Sequence, residues 1–105
     1  MSDVLFAFVT FPSMEKAAEV TRTVVEEGLV AGGNMVPGLR SIYRWEGKVY
    51  DEAEVMTIFQ VREVGFAAFV ARVKELHPYQ VPEIVGFPVV GYGPYLDWVR
   101  HHGGS

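Results

Sequence analysis

The chain has 105 residues, half of them hydrophobic, with a formal charge of −4 and no cysteine. That length suits one domain over 1–105 with a core of its own, while the missing cysteines exclude disulfides, thiolate metal sites and cysteine nucleophiles. Lysines and arginines are scattered, without the basic stripe that phosphate binding needs, so nucleic acid is not an expected partner.

The opening segment "MSDVLFAFVTFP" has neither a basic leader nor a small-residue cleavage site, and its apolar run is far shorter than a membrane span. A cytoplasmic protein without membrane contact is expected. "DVLFAFVTF" reads as a strand buried on both faces. Ser13 stands where an N-cap belongs, and Met14, Ala17, Ala18, Thr21, Val24 and Val25 recur at helical spacing. Gly28 supplies a left-handed end to that helix.

From Leu29 to Val61 the pattern becomes a long hairpin. Ser41, Tyr43 and Trp45 alternate with Ile42 and Arg44, Glu46-Gly47 makes the turn, and Pro37-Gly38 predicts a bulge in the outgoing arm. On the return arm Glu54, Met56, Ile58 and Gln60 face one way, and Val55, Thr57, Phe59 and Val61 the other. A second amphipathic helix follows over Gly65 to Leu76, carried by Phe66, Phe69, Val70, Val73 and Leu76. The stretch "ELHPYQVPEIVGFP" stops it and leads into a fourth strand, "EIVGFPVV". Gly93-Pro94 then starts a short C-terminal helix, "YLDWVRHH".

This order predicts an α+β fold: a ferredoxin-like βαββαβ sandwich with an added C-terminal helix, its antiparallel sheet covered by helices on one face only. Self-association is the expected cover for the other face.

Several of these residues carry a resemblance. Asn34, Pro37, Ser41, Tyr43, Trp45, Gly47 and Glu54, then His77-Pro78-Tyr79, Pro82-Glu83 and Tyr95-Leu96-Asp97-Trp98, stand in an order and at spacings similar to those of the CutA family, the divalent cation tolerance proteins. The likeness covers nearly the whole chain. It implies a homotrimer with the long hairpins paired between subunits, an architectural kinship with PII signalling proteins, and a role in binding divalent metal ions, copper especially. The chain departs from the family pattern in two places. Glycine occupies the family's cysteine position, Gly32, and Gln60-Val61 replaces Lys-Thr. Loss of the cysteine removes the soft ligand that would favour Cu(I).

His77 is the first metal-ligand candidate, with Glu54 and Glu83 as carboxylate partners. Its alternative is structural: a histidine at a helix end, interacting with the last carbonyls and held out of the helix by Pro78. Glu54 and Gln60 interrupt an apolar strand face, so they predict either interface hydrogen bonds or a polar inter-subunit pocket. Tyr43 and Trp45 would wall that pocket or else pack across strands, and Tyr79 belongs to the same corner. His101 and His102 point apart at a glycine-rich end and are expected to be incidental. No phosphate loop or nucleophile elbow is present, so an enzyme is not expected. Two functions rival the metal reading: a PII-like sensor of a small anionic effector, and a trimeric scaffold.

Overall fold

The structure, a computed structural model, describes residues 3–104; the outermost residues of the expected 1–105 domain lie outside them. Strand β1 (Val4–Phe11) runs into helix α1 (Met14–Glu26), whose N-cap Ser13 accepts a 3.1 Å bond from the Lys16 amide. Gly28, at φ 74°, turns the chain out of α1, and its amide closes onto the Val25 carbonyl. The hairpin comprises β2 (Gly32–Trp45) and β3 (Lys48–Arg62), joined by Glu46 and Gly47, both at positive φ as the predicted tight turn requires. A register shift between Val36 and Leu39 places the bulge at Pro37-Gly38.

A short turn of 3-10 helix, Glu63–Gly65, precedes α2 (Phe66–Leu76), so this helix begins one residue later than the sequence pattern suggested. The last strand, β4, covers only Ile84–Pro88; Val89 and Val90, expected within it, lie beyond its end, and Val90 is 94% exposed. Helix α3 (Gly93–His102) closes the described chain.

The sheet order is β2-β3-β1-β4, with every pair antiparallel, as a split βαββαβ chain requires. Its two faces differ. Leu5, Ala7, Val9 and Phe11 of β1, with Val55, Thr57, Phe59 and Val61 of β3, pack under Ala17, Val20 and Val24 of α1 and Phe69 and Val73 of α2. Burying each such phenylalanine or valine is worth about 1.5–3 kcal/mol, which makes this the stabilising layer. The Phe59 and Phe69 rings meet edge-on, 5.0 Å apart, locking α2 to the sheet. Two backbones approach closely here: a Cβ on Gly86 would lie 2.7 Å from the Phe66 ring, and one on Gly33 would lie 2.8 Å from Thr21.

The opposite face carries Phe6, Phe8, Met56, Ile58, Val36, Val85 and Phe87, and no helix of α1 or α2 covers it. Within one chain β1 is therefore buried fully on one face only: Phe6 and Phe8 are half-buried. The far half of the hairpin extends beyond the helices and contributes to a longest dimension of 43 Å.

Candidate functional site

The corner after α2 is held by His77. Pro78 forces His77 into extended backbone, ψ 138°, while the His77 amide still donates to the Val73 carbonyl and ends the helix. The imidazole is 7% exposed and stacks on Phe11 at 4.8 Å. Its Nε2 donates to the Thr10 carbonyl of β1 at 2.7 Å, and its Nδ1 accepts the Tyr79 amide at 3.1 Å. The ring is thus the neutral Nε2–H tautomer, with both nitrogens engaged. Burial pushes its pKa below the ordinary histidine value. The helix-end reading is corrected in one respect: the ring bonds to a neighbouring strand and not to the last carbonyls of α2.

Tyr79 links this corner to β3. Its phenol donates to Glu54 Oε2 at 2.7 Å, and Glu54 is only 7% exposed. Burial and then the Glu54 carboxylate raise the Tyr79 pKa, so the phenol stays a donor. Beside this pair opens a cleft of about 760 Å³. Tyr43, Trp45, Tyr79, Glu54 and Glu83 all line it, with Ser41 and Arg40 at the hairpin side. Tyr43 stacks on Tyr50 across the hairpin at 5.3 Å and donates its hydroxyl to Glu52. That hydrogen bond pushes the Tyr43 pKa up to about 12. Arg40 is forked onto Asp51 by two bonds of 2.9 and 2.7 Å, so its charge is matched within the hairpin. Of the five residues expected to form one polar pocket, four lie together here.

Gln60 does not. It lies six residues along β3 from Glu54, about 20 Å at strand rise, beside α3. Its amide donates to Asn34 Oδ1 at 2.9 Å and to the Ile58 carbonyl at 3.0 Å. Gly32 is its direct cross-strand partner, and a Cβ there would lie 3.1 Å from Gln60 Oε1 and 3.5 Å from the Trp98 ring. The two departures from the family pattern are therefore neighbours in space: the Gln60 side chain reaches over the bare glycine. His101 Nδ1 contacts the Asp97 carbonyl at 2.8 Å, and His102 lies against Trp98 at 5.7 Å.

Sequence reasoning missed Thr10, whose carbonyl anchors His77, and Glu52, which holds Tyr43. Glu52 was legible, since it sits on the same strand face as Tyr50 and Glu54 at a spacing of two. Thr10 was not: nothing local shows that residues 67 apart will meet.

These donors fit a resident divalent ion poorly. Neither His77 nitrogen offers a lone pair without giving up the Tyr79 amide or the Thr10 carbonyl, and Glu54 already accepts a phenol. Among the described residues no three His, Asp or Glu side chains converge as a ligand set. His77, Glu54 and Glu83, expected as partners, are not gathered around one point.

Fold and cleft together define an α+β protein with one sheet face covered by α1 and α2, an opposite apolar face that α3 meets at its Gly32–Gln60 end, and an aromatic, carboxylate-bearing cleft along the outer half of a long hairpin. A model of the CutA1 divalent ion tolerance protein family matches residues 5–102. The chain is 45% identical over 97 residues to the divalent-cation tolerance protein CutA of Thermus thermophilus, covering 91% of this chain and 94% of that one. It is 41% identical over 95 residues to the human Protein CutA, covering 90% of this chain but 53% of the human protein. The solved Thermus thermophilus structure superimposes with a TM-score of 0.92 at 43% identity, over 96% of this chain and 99% of that one. CutA from Xylella fastidiosa gives the same TM-score at 35% identity, over 96% of this chain and 98% of that one. The chain belongs to the CutA family of divalent-cation tolerance proteins.

Proposed function

We propose that the chain works as a non-enzymatic cytoplasmic homotrimer in divalent-ion tolerance, with the cleft beneath the hairpin as its binding site. The observation that carries this reading is the bare sheet face. Val85 is 50% exposed, Phe87 39% and Val36 39% on the same sheet face, and association covers such exposed apolar groups. The names of the relatives supply the ion-tolerance role. A metal ion, copper included, draws its ligands from more than one subunit, with Glu54 and Glu83 the contribution of each cleft and His77 the structural support behind them.

Light scattering and copper titration by calorimetry test both parts. A trimer is expected, with copper heats that fall in Glu54→Gln and Glu83→Gln. A monomer at micromolar concentration overturns the assembly. Copper heats abolished by His77→Ala, in a variant of unchanged circular dichroism, overturn the support role and restore His77 as a ligand. The cleft volume also favours a second reading, a small-molecule sensor, because about 760 Å³ lies within the range of ordinary ligand sites.

A further inference from the structure

Deepening the reading of the cleft as a binding site, we infer that it takes an organic ammonium group, seated on Glu54 between aromatic walls. The Tyr79 phenol is spent on Glu54, the Tyr43 phenol is held by Glu52, and the Arg40 guanidinium is forked onto Asp51. These three donors are held by carboxylates, and the remaining polar donors on the walls, among them Ser41, Trp45 and Gln80, are neutral, while Glu54 bonds through one oxygen among the described residues and Glu83 lines the same space. No ion pair among the described residues involves either glutamate. Glu54 is 7% exposed and is held by one phenol, with no cation paired to it among the described residues. The complementary ligand is therefore a hydrogen-bond donor with a positive charge, which disfavours an anionic effector in this cleft.

The walls select among cations. Trp45, Tyr43 and Tyr79 line the cleft, and the faces of such rings attract ammonium groups. The same hairpin face already shows this chemistry: the Lys48 ammonium lies 5.3 Å from the centre of the Tyr50 ring, on which Tyr43 stacks. The cleft is also much larger than a bare ion requires, which leaves room for the carbon skeleton of an amine.

The test is calorimetric titration of the full chain with n-butylammonium chloride, alongside sodium butyrate as the charge-reversed counterpart of similar size. Butylammonium is expected to bind and butyrate is not. Glu54→Gln, which keeps the side-chain shape, is expected to weaken butylammonium binding by about tenfold or more. Trp45→Leu, with its fold checked by circular dichroism and its mass by light scattering, is expected to weaken it by several fold and decides the matter if the Glu54 variant does not fold. The inference is overturned if wild type gives no butylammonium binding, if butyrate binds as tightly, or if the folded variants bind as wild type does. Light scattering on the same samples separates this from the assembly: a monomer that binds butylammonium overturns only the trimer, and a trimer that ignores it overturns only the ammonium site.

Discussion

At the scale of single residues, His77 and Tyr79 behave as a linked pair. Tyr79 gives its backbone amide to the His77 ring and its phenol to Glu54, so the two side chains together tie the α2 corner to β1, through His77, and to β3, through Tyr79. A proton on His77 Nδ1 would face the Tyr79 amide hydrogen, donor against donor. The imidazole's pKa is accordingly depressed in the folded chain, mainly by burial, relative to about 6.5 when unfolded. The unfolded chain then binds the proton first. Stability from the neutral ring is present above about pH 6.5 and is lost as pH falls through the depressed folded value. Thermal midpoints measured across that window should fall for wild type and change less for His77→Gln; parallel curves would reject the linkage. Tyr79→Phe should cost about 1–3 kcal/mol by denaturant unfolding, because it strips a buried carboxylate of its described donor. Much of this site could be named from sequence, since prolines flanking a histidine announce a corner. Its wiring could not, because the partners of His77 and Tyr79 lie on distant strands.

At the scale of elements, turn residues and alternation carried the prediction. The bulge at Pro37-Gly38, the turn at Glu46-Gly47, the Ser13 cap and the two-faced β3 all stand where residue chemistry puts them, because each depends on backbone preferences a few residues long. The ends of β4 were misplaced for the opposite reason. Val89 and Val90 have strand-forming side chains, but β1 pairs with β4 only as far as Leu5↔Pro88. Close packing between elements is likewise hidden from sequence. Gly86 faces the Phe66 ring across the α2–β4 contact, so Gly86→Ala should destabilise by about 1–3 kcal/mol in chemical denaturation. A cost near zero would mean that α2 can shift away from the strand. Gly32 and Gln60 form a similar couple. Gly32→Ala should displace Gln60 and weaken its hold on Asn34, and should cost less in a Gln60→Ala background. A double-mutant cycle should return a coupling of about 0.5 kcal/mol or more, and strict additivity would show that the two sites act independently.

At the scale of the whole molecule, the asymmetry of the sheet governs behaviour. One face is sealed by α1 and α2, whereas the other exposes Val85 and Phe87 beside half-buried Phe6 and Phe8. Val85→Lys puts a charge on that bare face without touching the helix-covered core. With the proposed trimer, it should reduce the mass in light scattering to that of one chain, while far-ultraviolet circular dichroism stays that of wild type. Retention of the wild-type mass would place the association surface elsewhere. With the proposed assembly, the thermal midpoint of wild type should also rise with protein concentration, since association stabilises a folded chain by mass action.

The sequence by itself determined the order of elements, the faces of β3, the turn and the bulge, because hydrophobic period and glycine or proline chemistry act locally. It also carried the family, through motifs spread along the chain. Only the tertiary structure decided that Tyr43, Trp45, Glu54 and Tyr79 share one cleft while Gln60 stands apart at the other end of β3, and that His77 spends both nitrogens on the fold. The physical reason is that hydrogen-bond satisfaction belongs to groups brought together across the sheet. No spacing along the chain specifies which donor a buried carboxylate will find.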